Sequence, residues 1–338
     1  MKRFLLLDGL RGIAAFLIMS YHLWRLAPGF QIWVDFFFVL SGFVLAPKLC
    51  MSNPVSPRTF LMGRVKRIYP ALLPLFFILI ITTKYTPISK HLDKLGTHHP
   101  SIISYLAAFF LLQTFYAPLI VVSPALWSLS AELLANIIAA FFRSKKAILY
   151  FIVVGLLFEV FGSFIDLELR QKIYPIEYLI AIGRVLVGFN LGLLLRLGED
   201  TRPKNFKIKK LALILTLLLT VHFLCSVNIT AIFFAAPIFY LLLMEITKIN
   251  ENTFPPWFSK LCAYLGRVSY GIYIWHSIVI KLAIQVFILK VSGLHLSGFL
   301  NHFFSGAVEL TLVLLACEIS NRYFEGPLMR YLERRFNM

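Results

Sequence analysis

Three side chains near the amino terminus are of types that seldom enter an apolar stretch without a task. Arg11 and His22 are eleven residues apart, close to three helical turns and about 16 Å of rise, so one helix carries both on the same side. Asp35 comes after a short loop, early in the next apolar segment, and re-enters at about the depth of His22. A carboxylate there could hold the imidazole in one tautomer and stabilise its protonated form, as a general base requires. Ionisable groups at membrane depth are costly, so each is a functional candidate; the plainer alternative is a buried polar pair that joins two helices.

Further along, Arg58, Arg64, Lys66 and Arg67 cluster in a loop. Guanidinium forks and an ammonium charge suit the phosphates of a nucleotide, although a basic loop also simply anchors topology. Ser128 and Glu132 are one turn apart and fit acceptor binding or proton handling. Ser269, Tyr273 and His276 follow an i, i+4, i+7 spacing and form one polar stripe, which lines a cavity or bonds neighbouring helices. Arg184, Arg267, Glu309 and Glu318 are placed for ion pairs or cavity lining, with partners that spacing alone does not assign. His91, His98 and His99 fall in a loop where no carboxylate or thiol spacing completes a ligand set, so no metal is expected. Cys50, Cys225, Cys262 and Cys317 form no CxxC pair and read as small packing residues.

These groups need elements to hold them, and composition says which. Of 338 residues 59% are hydrophobic and 14% charged, against about 25% charged in a soluble domain. Apolar runs such as Ala147 to Ile165, Leu211 to Val227 and Ile229 to Ile246 approach the roughly 20 residues that cross a bilayer. The expected fold is therefore an all-α polytopic membrane protein, helical because lipid leaves no other way to satisfy the backbone. Residues 1–338 read as a single membrane-embedded domain without repeats. Met1 to Leu7 resembles a signal peptide only briefly, since Asp8 and Arg11 interrupt it, and is expected to stay as the first helix.

Eleven apolar segments begin near Leu10, Ile32, Ala71, Ser101, Ala125, Ala147, Ile176, Leu211, Ile229, Leu261 and Phe299. The formal charge of +17 gathers in short loops, which points to topology and not to nucleic acid. If all eleven segments crossed, Arg143 to Lys146 and Arg202 to Lys210 would lie outside, against the positive-inside rule. Making Ser101 to Leu119 re-entrant or interfacial brings them inside together with Lys48 to Arg67 and Arg330 to Arg335. About ten transmembrane helices, one re-entrant or interfacial helix and two cytoplasmic termini are the resulting expectation. Glu132 then faces the outer half, near His22.

The motifs also occur in a family order. Asp8-Gly-Leu-Arg-Gly-Ile-Ala-Ala15, the Arg11-x10-His22 spacing and Val34-Asp-Phe-Phe-Phe-Val-Leu-Ser-Gly-Phe43 resemble the opening signature of the acyltransferase 3 membrane proteins. Arg64-Val-Lys-Arg67 is similar to their RxxR loop, Trp127-Ser-Leu-Ser-Ala-Glu132 to WSLSxE, and Ser269-Tyr-Gly-Ile-Tyr-Ile-Trp-His276 to SYxxYLWH. Phe324-Glu-Gly-Pro327 is similar to the terminal FERP pattern, with Gly326 where Arg is usual. The resemblance is to a standalone member, without a fused extracytoplasmic esterase-like domain. It implies transfer of an acyl group, commonly acetyl from acetyl-CoA, to sugars of surface polysaccharide, lipopolysaccharide, peptidoglycan or small glycosylated molecules. It also implies residence in the bacterial cytoplasmic membrane. Under this reading Arg11, Arg64 and Arg67 bind the donor, His22, Asp35 and Glu132 are catalytic, and Ser128, Ser269, Tyr273 and His276 bind substrate. The partners are an acyl-CoA donor, a carbohydrate acceptor that is free or lipid-linked, and membrane lipid. Direct transfer and an acyl-enzyme route both remain open, as do succinyl in place of acetyl and, from another class, a proton-coupled transporter or flippase.

Overall fold

A computed structural model describes residues 4–24, 28–85, 102–112, 115, 126–169, 174–199, 207–227, 229–251, 254–291 and 298–335. The described residues are helical, with no strand among them. In chain order the helices are α1 (Leu5–Trp24), α2 (Trp33–Leu49), α3 (Pro57–Tyr85), α4 (Ile102–Phe109), α5 (Leu126–Phe141), α6 (Lys145–Leu169) and α7 (Tyr174–Leu197). They continue as α8 (Ile208–Val227), α9 (Ala235–Ile246), α10 (Pro256–Val291), α11 (Gly298–Ser320) and α12 (Gly326–Arg335). Short 3-10 turns at Pro28–Ile32 and Ile229–Phe234 lead into α2 and α9, and a π turn at Asn321–Glu325 joins α11 to α12.

The expectation of about ten crossings is corrected here. Among the described residues four helices are long and apolar enough to cross a membrane: Leu5–His22, Gly29–Leu49, Lys145–Phe164 and Leu179–Leu197. Apolar runs in the sequence do not say where a helix breaks. The run at 229–246 is divided by a 3-10 turn, which leaves α9 with 12 residues; α5 has 16 and α4 has eight. All three fall short of the roughly 20 that a bilayer needs. Several apolar helices still make this a multi-pass membrane architecture, but loop sides deduced from ten crossings lose their basis. Within the segment expected to be re-entrant, the helix among the described residues is Ile102–Phe109. His91, His98 and His99 lie outside the described residues.

Two pairings position the functional groups. Helix α1 packs along α10, and α2 packs along α7. Lipid offers no hydrophobic drive between helices, so close backbone approach and polar bonds must hold them. Gly42 and Gly192 supply the approach: a Cβ on Gly42 would run into the Phe189 carbonyl, and one on Gly192 into the Val39 carbonyl. Around this seam Phe36, Phe38, Phe43 and Phe189 are completely or almost completely buried. By contrast α6 turns Val153, Leu157, Phe161 and Phe164 outward, the pattern of a lipid-facing helix.

Candidate functional site

Helices α1, α2, α3, α5 and α10 converge on a cavity of about 210 Å³. Its polar lining is Arg11 from α1, Ser41 from α2, Arg64 and Arg67 from α3, Ser128 and Glu132 from α5, and Tyr270 and Tyr273 from α10. Six residues singled out in the sequence, Arg11, Arg64, Arg67, Ser128, Glu132 and Tyr273, thus share one chamber despite their spread along the chain. Three guanidinium groups face one carboxylate, so the chamber carries excess positive charge. Its apolar wall comes from Val34, Phe37, Phe38, Leu40, Val44, Leu45, Ile68 and Leu129.

Glu132 is tied down at the cationic end. Arg64 Nη2 donates to Glu132 Oε1 at 2.5 Å, and Ser41 Oγ donates to the same oxygen at 2.6 Å. Both side chains of the ion pair are mostly buried, at 16% and 17% exposure, which makes the pair structurally specific and not a loose surface contact. The structure therefore brings Glu132 to Arg64, the residue expected on the opposite side, and not to His22. Arg67 lies over the Tyr270 ring at 5.7 Å, a cation–π contact that leaves its charge available to a ligand. Arg11 is 3.7 Å from Asp8, one turn earlier on α1.

Tyr273 connects this chamber to the histidines. Its hydroxyl bonds the Ser128 hydroxyl, its ring lies 5.7 Å from Phe37, and its other neighbour is the His276 ring at 5.9 Å. His276 in turn stacks on His22, with centroids 5.2 Å apart and rings 27° from parallel. His276 is fully buried. Its Nδ1 lies 3.0 Å from the Ile272 carbonyl, and a carbonyl can only accept, so in the neutral ring Nδ1 carries the proton and Nε2 keeps its lone pair. That Nε2 has no protein partner among the described residues. His22 is the more open member of the pair.

Asp35 is engaged elsewhere. Its carboxylate accepts from Arg184 Nε at 3.1 Å and Arg184 Nη2 at 2.7 Å, a bidentate pair between α2 and α7. Arg184 also lies over the Trp127 ring at 5.3 Å, so the pair reaches α5. The His22–Asp35 partnership expected from depth is replaced by Asp35–Arg184 and His22–His276. Ser269 is buried, and its hydroxyl donates back to the Gly266 carbonyl within α10 at 2.8 Å, away from the chamber. Of the remaining intramembrane candidates, Arg267 pairs with Glu318 at 3.2 Å. Residues missed beforehand are Ser41, Tyr270 and the pairing of Arg184. The first two lie inside the quoted motifs, Tyr270 next to Ser269 and Ser41 six residues after Asp35, which was the available signal.

Among the described residues no three His, Cys, Asp or Glu side chains converge as metal ligands. Cys50, just past α2, is a free half-buried thiol whose pKa burial pushes up to about 11, against the lowering influence of Arg143. It is a packing residue and no nucleophile at neutral pH.

The sequence model of one protein family, described as an acyltransferase domain, matches residues 4–317. The chain belongs to the acyltransferase 3 family. That membership spans every element of the chamber and the histidine pair. Similar proteins include the protein 2 in picA locus of Rhizobium radiobacter, 35% identical over 41% of this chain and 82% of that one. A protein of Acidianus two-tailed virus named as an acetyltransferase is 23% identical over 81% of this chain and 82% of its own length. One from Staphylococcus aureus (strain COL), named as an O-acetyltransferase, is 26% identical over 95% of this chain but 56% of its own length. The chain thus spans little more than half of the staphylococcal relative. No solved structure matches the chain.

Proposed function

We propose that this acyltransferase moves an acetyl group from acetyl-CoA to a hydroxyl of a carbohydrate of the bacterial surface, such as lipopolysaccharide O-antigen or exopolysaccharide. The carrying observation is the single chamber in which Arg11, Arg64 and Arg67 outnumber Glu132, joined through Tyr273 to the His22–His276 stack. Three guanidinium groups suit the phosphates of CoA, which guanidinium binds in bidentate fashion. Arg11 and His22 share α1 about 16 Å apart along the axis, so a thioester arm anchored at the cations runs along α1 toward the imidazole.

In this mechanism the acceptor hydroxyl oxygen attacks the thioester carbonyl carbon, and His22 takes the hydroxyl proton as the C–O bond forms. The C–S bond breaks, and the CoA thiolate recovers a proton from the imidazolium. His276 holds the His22 ring by stacking. Glu132 fixes Arg64 for the donor, and Asp35 contributes by locking Arg184, α2 and α7 together. Basic residues at 48–67, 143–146 and 330–335 are of the kind that stays on the cytoplasmic face, which supports a cytoplasmic-membrane location with the donor end facing the cytoplasm.

Mass spectrometry of the cell's polysaccharides with and without the gene tests the reading. Loss of an acetyl increment is expected, with no restoration by a His22→Ala chain that is inserted in the membrane at normal levels. A well-folded His22→Ala protein that still transfers acetyl at near wild-type rate overturns it.

A further inference from the structure

A second cavity is lined by other residues of α3 and α10, and nothing in the acyl-transfer chemistry uses it. It measures about 920 Å³, far more than the chamber, and its lining is almost entirely apolar. Leu73 and Phe77 of α3, Trp275 of α10, Ile319 of α11, and Tyr323 and Phe324 of the π turn form its walls. Phe77 is 69% exposed and Tyr323 64%, so the groove opens to its surroundings.

Its rim is basic. Arg322 lies over the Tyr323 ring at 5.7 Å, and Arg335 Nη1 donates to the hydroxyl of Tyr331, another lining residue, at 2.5 Å. Each guanidinium is therefore held beside an aromatic groove residue by a direct contact, and both side chains are exposed. Helix α12 presents Pro327, Leu328 and Tyr331 to the groove while also carrying Arg330, Arg334 and Arg335, the composition of a helix lying in a membrane interface. Deeper in, Trp275 is 5% exposed and closes the apolar floor of the groove.

We propose that this groove is a binding site for one anionic phospholipid. Its hydrocarbon chain lies against Leu73, Phe77, Ile319 and Phe324, and its phosphate is taken by Arg322 and Arg335. An apolar slot alone would take any lipid; the two restrained cations select for negative charge, each worth roughly a fivefold preference near a membrane surface.

The test uses the full chain in nanodiscs that contain photoactivatable phosphatidylglycerol or photoactivatable phosphatidylcholine, with labelled peptides mapped by mass spectrometry. Groove peptides containing Phe77 and Phe324 should be labelled at least fivefold more by phosphatidylglycerol, whereas α6 peptides containing Leu157 and Phe161 should not discriminate. Arg322→Ala with Arg335→Ala should abolish the groove preference and leave α6 labelling unchanged; that unchanged labelling shows the protein is intact. Ala316→Trp, which fills the groove from α11, should reduce labelling by both lipids. Equal labelling of the groove by the two lipids, groove labelling no higher than on α6, or a preference that survives the double substitution would each overturn the proposal.

Discussion

The Asp35–Arg184 pair gives the sharpest test, because a catalytic and a structural role for Asp35 predict different behaviour. Asp35 is 1% exposed and the Arg184 side chain 9%, and two hydrogen bonds of 3.1 and 2.7 Å join them. Arg184→Met leaves the carboxylate without its guanidinium partner in a site closed to water, and Asp35→Asn leaves a guanidinium facing a neutral amide. Breaking a buried pair from one side costs about 3–5 kcal/mol, while removing both charges is often close to neutral. The double substitution Asp35→Asn/Arg184→Met should therefore recover most of the loss, with a coupling on the order of 5 kcal/mol, since two single losses collapse to a small cost for the double. Thermal unfolding of the four purified proteins in one detergent, read as the fraction remaining monodisperse, closes the cycle. Acetyl transfer per folded molecule is measured on the same samples and should stay within about tenfold of wild type for Asp35→Asn. Additive destabilisation, together with a loss per folded molecule on the order of ten-thousandfold as expected for a carboxylate that orients a catalytic imidazole, would refute the structural reading and restore a His22–Asp35 unit.

Other consequences are as direct. Gly42→Ala and Gly192→Ala should each destabilise by about 1–3 kcal/mol, visible as lower thermal stability, because the new methyl group meets a carbonyl across the α2–α7 seam. Gly63→Ala, with nothing nearby, should be neutral and serves as the control. Arg67→Ala should raise the KM for acetyl-CoA roughly tenfold with little change in unfolding temperature, since its main protein contact is a ring face; unchanged KM would reduce Arg67 to a topological anchor. Cys50, with its thiol pushed up to about 11, should alkylate slowly at pH 8 and about tenfold faster for each unit of pH up to that value, because only the thiolate reacts. Peptide mapping that finds Cys50 fully modified at pH 8 would contradict its burial.

Motif residues were legible because family order and helical spacing carry three-dimensional information. Arg11, Arg64, Arg67, Ser128, Glu132 and Tyr273 were marked from spacing, and all six line one chamber. Partnerships were not legible. Asp35 and His22 are close in sequence and estimated depth, but the side chain that reaches the carboxylate is 149 positions away on α7. Helix depth places a residue along the membrane normal and leaves its rotation about the helix axis open, so the facing helix decides the pair. The number of crossings failed for a different reason. Hydropathy measures the apolar content of a run, and the run at 229–246 keeps that content while a 3-10 turn divides it. Nor could the groove be foreseen, since its walls come from α3, α10, α11, the π turn and α12, and no single one of them is unusual.

The packing of α1 along α10 also sets an order of events during synthesis. His22 is made early, whereas its stacking partner His276 follows roughly 250 residues later, a delay on the order of ten to fifty seconds at 5–20 residues per second. Through that interval α1 lies in lipid with Arg11 and His22 on a face that still lacks its neighbour. The polar surface that will become the site is then the chain's most costly exposed feature. An insertase or another transient partner that shelters α1 would shorten the lifetime of misfolded chains, and slowing translation ahead of codon 256 should lower the yield of active protein without changing its sequence.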